Sequence, residues 1–349
     1  MKRPRLLIFT ILLLSILLFS PFIPPHSKLL KVKTHAQTSI SKAECVMEVN
    51  SKRVLYEDGG DVRLPMASTT KIVTCITVLE LCNDIQEEVK IPQNAVGIEG
   101  SSVYLKEGEI YTVEDLLYGL MLRSGNDCAI ALALHCCDSV PIFCSKMNEL
   151  AQKAGALHSN FENPHGLPSK NHYTTARDLT MIASYAMQNP TFAKIVSTKK
   201  YEKQNWVNKN KLLQKNEEII GIKTGYTKEA GRCLVTAMKR GEATLVCTVL
   251  NSPTMYERTS ELLEDAFSQY KYTHILEKDS ILEIENGKTK GKTDKSFYYP
   301  LLPEEKSLIV IKTYATEKKD IYTRAEKIVG RFEIYLAKQL LFSGNLYKL

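Results

Sequence analysis

Three short clusters in this 349-residue chain carry side chains suited to acyl transfer: Ser68-Thr69-Thr70-Lys71, Ser124-Gly125-Asn126 and Lys223-Thr224-Gly225. A serine hydroxyl is a poor nucleophile until an adjacent base takes its proton. Residues i and i+3 share a helix face, so Lys71 can aim its amine at the Ser68 hydroxyl. An ordinary lysine, with a pKa of about 10.4, is charged at neutral pH and cannot accept a proton. Lys71 can serve only if burial or a second cation lowers that value, and Lys223 is the candidate second cation. Lys223 also suits a carboxylate. A serine at a helix start places backbone N–H groups and the positive dipole end beside a developing oxyanion.

No single cluster carries this reading. Ser-x-x-Lys recurs at Ser39/Lys42, Ser197/Lys200 and Ser268/Lys271, and Ser-x-Asn recurs at Ser169/Asn171 and Ser343/Asn345. Lys-Thr-Gly occurs once, where a random chain of this length holds it about a tenth of the time. Order and context discriminate. Ser68/Lys71 alone opens a strongly apolar helix, Ser124/Asn126 alone falls in a break between helices, and Lys223-Thr-Gly is expected to end a strand.

The elements that position these clusters can be read from periodicity. Cys45–Val49 and Val54–Tyr56 read as two strands around an Asn50-Ser51-Lys52 turn. Apolar positions 72, 75, 76 and 79 predict a helix over 71–81. Thr112 with Asp115 predicts a reciprocally capped helix to about Leu122, and a Cys/Ala/Leu-rich helix follows to about His135. Residues 161–173 read as loop and 175–187 as helix. Ile219–Leu250 reads as an antiparallel meander, and Glu261–Tyr270 as an amphipathic helix. From about Thr273 the chain is charged and strand-rich, with Phe332–Leu349 open between a hairpin and a short helix.

With these motifs in place, the chain resembles the low-molecular-mass penicillin-binding proteins, the serine D-Ala-D-Ala carboxypeptidases. The resemblance extends through Leu64-Pro-Met-Ala-Ser-Thr-Thr-Lys71, Leu122-Arg-Ser-Gly-Asn-Asp127, Asn163-Pro-His-Gly-Leu167, Thr175-Ala-Arg-Asp-Leu179 and Gly221-Ile-Lys-Thr-Gly-Tyr-Thr227. It implies an α+β fold: a transpeptidase-like domain over 37–271, with an antiparallel sheet and a helical part, then a small all-β domain over 272–349. It implies that Ser68 forms an acyl-enzyme on the penultimate D-Ala with Lys71 as base, and that Ser124 relays a proton to the leaving D-Ala. Asn126 would hold the peptide amide, Lys223 and Thr224 the terminal carboxylate, and the N–H groups of Ser68 and Tyr226, beside Gly225, the oxyanion. The implied substrate is a peptidoglycan stem peptide, with β-lactams as covalent inhibitors and no cofactor or metal. Two departures concern substrate preference: Tyr226 stands where some members have His, and Pro253 where some have Arg.

Composition sets limits on the rest. Six of the seven net positive charges sit on Lys2, Arg3, Arg5, Lys28, Lys31 and Lys33, leaving +1 for residues 37–349, so nucleic-acid binding has no electrostatic basis. Those basic residues, the apolar run Leu6–Phe19 and Thr34-His35-Ala36 predict a cleaved export signal over 1–36, with an uncleaved anchor as the alternative. The rest of the chain then faces outward. Membrane contact is expected through this segment only, because no amphipathic helix follows the C-terminal strands. Nine cysteines without a CxxC motif read as small buried hydrophobes rather than a disulfide framework, and a reducing habitat is one explanation.

Seven histidines show no metal-ligand spacing, and His165 reads as a loop residue. Arg177-Asp178 is expected to brace the fold through a salt bridge. Tyr104 and Tyr226 could line a groove. The competing functions are a β-lactamase or D,D-endopeptidase on the same fold, and a non-catalytic wall-binding module. Glu162-Asn163 lacks the Glu-x-x-Leu-Asn pattern of a deacylating β-lactamase glutamate.

Overall fold

Strands β1 (Ala43–Glu48) and β2 (Val54–Asp58) pair antiparallel around the expected turn. The Glu48 carboxylate holds that turn by accepting the N–H groups of Asn50 and Ser51 and the Ser51 hydroxyl. This computed structural model describes residues 41–284, 287–315 and 328–349, so the export signal read over 1–36 lies outside the described residues.

A helical stretch follows β2. A 3-10 turn, Ala67–Thr70, leads into α1 (Lys71–Leu81). The ribbon β3 (Glu88–Lys90) with β4 (Ile110–Thr112) precedes α2 (Val113–Tyr118). Thr112 Oγ1 accepts the Asp115 N–H while the Asp115 carboxylate accepts the Thr112 N–H, the capping box predicted from those two residues. One π-helical turn, Gly119–Arg123, carries the chain to α3 (Asn126–Cys136), α4 (Val140–Ala154), α5 (Ala176–Met187) and α6 (Pro190–Ser197). A two-residue ribbon, β5 (Lys200–Tyr201) with β6 (Trp206–Val207), and one-turn α7 (Leu212–Lys215) complete the stretch. Among the described residues no single helix is long and apolar enough to cross a membrane.

The meander then adds β7 (Ile219–Thr227), β8 (Gly231–Arg240) and β9 (Ala243–Leu250), giving a five-stranded antiparallel sheet in the order β2-β1-β9-β8-β7. Both faces of this sheet are covered, so β1 is buried at every position. Alternation sorts the side chains: Cys45, Val235, Val246 and Leu250 join the core shared with α1–α6, while Val46, Leu234, Leu245 and Val249 pack under α8 (Met255–Gln269). One expectation fails here. Lys223-Thr-Gly does not end its strand, because β7 continues to Thr227 with β8 paired along it. Helix α8 also begins at Met255, ahead of the predicted start at Glu261.

After α8 come β10 (Lys271–Leu276), β11 (Ile281–Ile284), β12 (Thr289–Lys292), β13 (Phe297–Leu301), β14 (Ile309–Ala315), β15 (Ile328–Leu336) and β16 (Gln339–Tyr347). β10 pairs with β13, and the other five form a sheet in the order β11-β12-β16-β15-β14. The ambiguous last stretch is a hairpin, β15 with β16. Phe297, Phe332, Ile334 and Leu346 form a separate apolar cluster here. Arg53, next to β2, reaches this region: its guanidinium donates to both Glu305 carboxylate oxygens at 2.7 and 2.8 Å and to the Pro300 carbonyl at 2.6 Å. Helices on both faces of an antiparallel sheet, followed by a strand-rich region, make the expected α+β fold.

Candidate active site

The sequence Met66-Ala-Ser-Thr-Thr-Lys71 builds its own turn. Thr69 Oγ1 donates to the Met66 carbonyl at 2.6 Å and Thr70 Oγ1 to the Ala67 carbonyl at 2.8 Å, tightening the 3-10 segment that presents Ser68. Ala67 sits at φ 49°, in the left-handed region. Such a conformation costs an alanine about 1–3 kcal/mol and persists only where the surroundings impose it. Gly166 is one such constraint: a Cβ there would lie 2.0 Å from the Ala67 carbonyl oxygen.

Lys71 is fully buried, and its Nζ lies 3.2 Å from Ser68 Oγ. The same nitrogen donates to Asn126 Oδ1 and to the His165 carbonyl, each at 2.6 Å. Among the described residues it has no carboxylate partner. Burial, and next the charge of Lys223, hold its pKa well below the ordinary lysine value. A neutral amine has two hydrogens and one lone pair. With both hydrogens given to Asn126 and His165, the lone pair is left for the Ser68 hydroxyl.

Ser124 follows the π-helical turn at φ 66°, a second non-glycine residue in the left-handed region, and it is buried. Next to it, the Asn126 N–H donates to the Ser101 carbonyl at 2.7 Å, and Asn126 Nδ2 donates to the Glu99 carbonyl. The Asp127 carboxylate accepts the Ser102 hydroxyl and the N–H groups of Val103 and Leu105. Residues 99–105 are thus folded onto the start of α3, and Tyr104 stands out from them at φ 65°, 83% exposed. Asn126 therefore has both ends of its amide engaged within the protein. In this geometry it orients Lys71, whereas the sequence reading gave it only the substrate amide.

Lys223 is buried on β7, the edge strand that faces the Ser68 turn. Its Nζ donates to the Thr224 carbonyl at 2.9 Å. Burial, then the charge of Lys209, push its pKa down to about 7. Both amines are thus held below the ordinary lysine value, and the charge of Lys223 is itself one cause of the shift in Lys71. Lys223 and Gly225 face inward, whereas Thr224 and the 66%-exposed Tyr226 alternate outward. A Cβ on Gly225 would meet the Met66 carbonyl oxygen and the N–H nitrogens of Ser68 and Thr69 at 3.0 Å each. Glycine allows this strand to approach the nucleophile's backbone that closely.

Ser68, Lys71 and Asn126 form one bonded group, with Lys223 and Gly225 against it on β7. Tyr226 lies at its rim, with Thr224 between. Lys209 was missed in the sequence reading. This exposed residue has its N–H on the Leu122 carbonyl and its Nζ 3.2 Å from Ser101 Oγ, and its charge acts on both buried lysines. Nothing in its sequence neighbourhood marks it, because only the fold brings residue 209 beside residues 101 and 122. His172 was also missed. It is buried, held neutral with a pKa down to about 4, and accepts the Glu162 N–H at Nδ1, so Nε2 is left to donate to Thr70 Oγ1 at 2.9 Å. His165 is a loop residue as read, contributing its carbonyl to Lys71. Arg177 pairs with Glu57 at 2.5 Å and Asp61 at 3.0 Å, and Asp178 accepts the His158 N–H and the Ser159 hydroxyl, so the pair is a brace.

The profile of the D-alanyl-D-alanine carboxypeptidase family matches residues 31–254. D-alanyl-D-alanine carboxypeptidase DacF of Bacillus subtilis is 32% identical over 252 residues, which take in 68% of this chain and 64% of that protein's length. The fold resembles penicillin binding protein 5 of Haemophilus influenzae with a TM-score of 0.71 at 27% identity, over 88% of this chain and 96% of the other. A Streptomyces DD-transpeptidase aligns with a TM-score of 0.60 at 35% identity, over 66% of this chain and 98% of its own.

Proposed function

The chain belongs to the D-alanyl-D-alanine carboxypeptidase family, and on that premise we propose that it removes the terminal D-alanine from peptidoglycan stem pentapeptides through an acyl-enzyme on Ser68. The observation that carries the proposal is the Lys71 amine, buried with no carboxylate bonded to it among the described residues and 3.2 Å from the Ser68 hydroxyl.

Neutral Lys71 takes the Ser68 proton as Oγ attacks the carbonyl carbon of the penultimate D-Ala. The developing oxyanion is met by the backbone N–H groups of Ser68 and Tyr226, which the close approach of Gly225 brings near each other. The C–N bond breaks, and the departing amine receives a proton by way of Ser124. Lys223, with its pKa near 7, is partly charged at neutral pH, and with Thr224 it attracts the terminal carboxylate, which in turn favours its charged form; Lys209 adds a second cation at the mouth. Water, activated by the same lysine, then attacks the ester and releases the shortened peptide. β-Lactams acylate Ser68 by the same first step.

Glu162 argues against a β-lactamase. Its carboxylate is exposed and holds its own loop through the Ser169 hydroxyl and the Asn171 N–H and amide. We read residues 1–36 as the export signal, so that the enzyme works outside the cytoplasm, and residues 272–349 as a separate β domain.

The test is release of D-Ala from a stem pentapeptide by the full chain, with Ser68→Ala and a cross-linked peptide dimer alongside. D-Ala from the pentapeptide alone, lost in Ser68→Ala, and a stable penicillin adduct are expected. Release by Ser68→Ala would sink the proposal. Preferential cleavage of the dimer would make it an endopeptidase, and rapid penicillin turnover a β-lactamase.

A further inference from the structure

The cysteines have no part in the acyl-transfer site, and two of the nine are unlike the others. Cys45, Cys75, Cys128, Cys233 and Cys247 are buried, and burial is the main cause that pushes their thiols up. Cys82 and Cys136, 54 residues apart in sequence, bring their sulfurs to 3.1 Å, and both are partly exposed. Cys82 caps the C-terminal end of α1 with its N–H on the Val78 carbonyl, and Cys136 is the last residue of α3. The N-terminal ends of these two helices carry Lys71 and Asn126, which are joined at 2.6 Å. The helices are therefore joined at one end by the site's hydrogen bond and meet at the other through two sulfurs.

We propose that Cys82 and Cys136 are a dithiol/disulfide centre that closes on reaction with a disulfide oxidant and ties the far ends of α1 and α3 together. The Cys82 thiolate attacks one sulfur of the oxidant RSSR, forming a Cys82–SR mixed disulfide and releasing one thiolate. Cys136 then gives up its proton and attacks the Cys82 sulfur, expelling the second. Two cysteine thiols and RSSR become one protein disulfide and two RSH, a two-electron exchange in which the oxidant is reduced.

Two features support the assignment of roles. Cys82 has its thiol lowered, chiefly by the hydrogen bond from Cys136, which favours the thiolate that starts exchange. A disulfide needs sulfurs about 2.0 Å apart, so closure asks for roughly 1 Å of sulfur movement, within the range of side-chain rotation. Cys137 is the neighbouring competitor, but its backbone continues away from α3 in an extended conformation.

The experiment treats the full chain, purified under reductant, with oxidised glutathione, then alkylates it under denaturing conditions and maps unreduced peptides. Seven alkylatable thiols are expected, against nine in the untreated chain, with Cys82 linked to Cys136. Cys137→Ser should keep that linkage and Cys82→Ser should lose it. The oxidised chain should melt roughly 5 °C above the reduced one, a difference absent in Cys82→Ser. Nine free thiols after treatment, a glutathione adduct that never resolves, or a linkage through another cysteine would overturn the proposal. Equal melting of the two forms would overturn the tie between the helices.

Discussion

Asn126 Oδ1 accepts a hydrogen from Lys71 Nζ at 2.6 Å, which makes the second motif a support for the first. Because the His165 carbonyl takes the other hydrogen, the orientation of the lysine lone pair depends on both acceptors. The two groups that hold Lys71 are neutral, so neither stabilises its charged form as a carboxylate would.

Asn126→Asp tests this. An acid at hydrogen-bonding distance from a buried amine favours the ammonium and raises its pKa. Acylation by a penicillin at pH 7 should fall by about tenfold or more relative to the parent, and that deficit should shrink as pH rises. Asn126→Leu should lose rate without that narrowing. Equal losses at all pH values in both variants would mean that Asn126 does not act through Lys71.

Lys209 sets a second expectation. Its charge lowers both buried amines, so Lys209→Met should move both limbs of the kcat/KM profile to higher pH. In the parent protein the alkaline limb should fall near 7, where Lys223 gives up its proton. A bound carboxylate favours charged Lys223, so the limb in kcat should lie above that in kcat/KM. Because Lys209 is exposed, its influence should shrink with added salt. Lys209→Arg should restore the profile; a change in KM alone, with both limbs in place, would confine its role to substrate capture.

The buried amines also bear on stability. Unfolded, Lys223 titrates near 10.4; folded, near 7. Between these values the unfolded chain binds the extra proton, so this group's penalty vanishes above the upper value and grows as pH falls, to a few kcal/mol below about 7. Lys223→Met should therefore raise the melting temperature at pH 6 while abolishing D-Ala release, and the gain should shrink toward pH 10. A loss of stability at pH 6 would show that the hydrogen bond to the Thr224 carbonyl outweighs the desolvation.

The legible part of this site was its local part. Ser68 and Lys71 are three residues apart on one turn, and Thr112/Asp115 is a cap whose chemistry is complete within four residues. The sheet meander was legible because its strands are consecutive, mostly apolar runs separated by short polar turns. Lys209 and His172 were not, since their meaning comes from partners more than a hundred residues away. Nor was the role of Asn126: spacing identifies an amide near the serine, but only packing shows that both its ends are engaged. The strand end misplaced at Lys223-Thr-Gly has a similar cause. Glycine ordinarily weakens a strand, and only the approach to Ser68 explains why this one continues through it.

Two glycines separate rate from stability. Gly225 touches the Ser68 backbone, whose N–H is the proposed oxyanion donor, and a Cβ there would press on Ser68 and Thr69 at 3.0 Å. A shift of a few tenths of an ångström relieves that contact without exposing the core, yet it widens the gap between the two oxyanion donors. Gly225→Ala should thus lower acylation about 100-fold or more with a melting temperature within about 2 °C of the parent. Gly166 sits at φ 92° with a prospective Cβ only 2.0 Å from the Ala67 carbonyl oxygen, so Gly166→Ala cannot be relieved by a small shift. It should destabilise the chain by about 2 kcal/mol or more and lose acylation in proportion to the unfolded fraction. Thermal melts beside penicillin acylation rates distinguish the two. If Gly225→Ala acylated at the parental rate, the close approach of β7 would not be part of oxyanion binding.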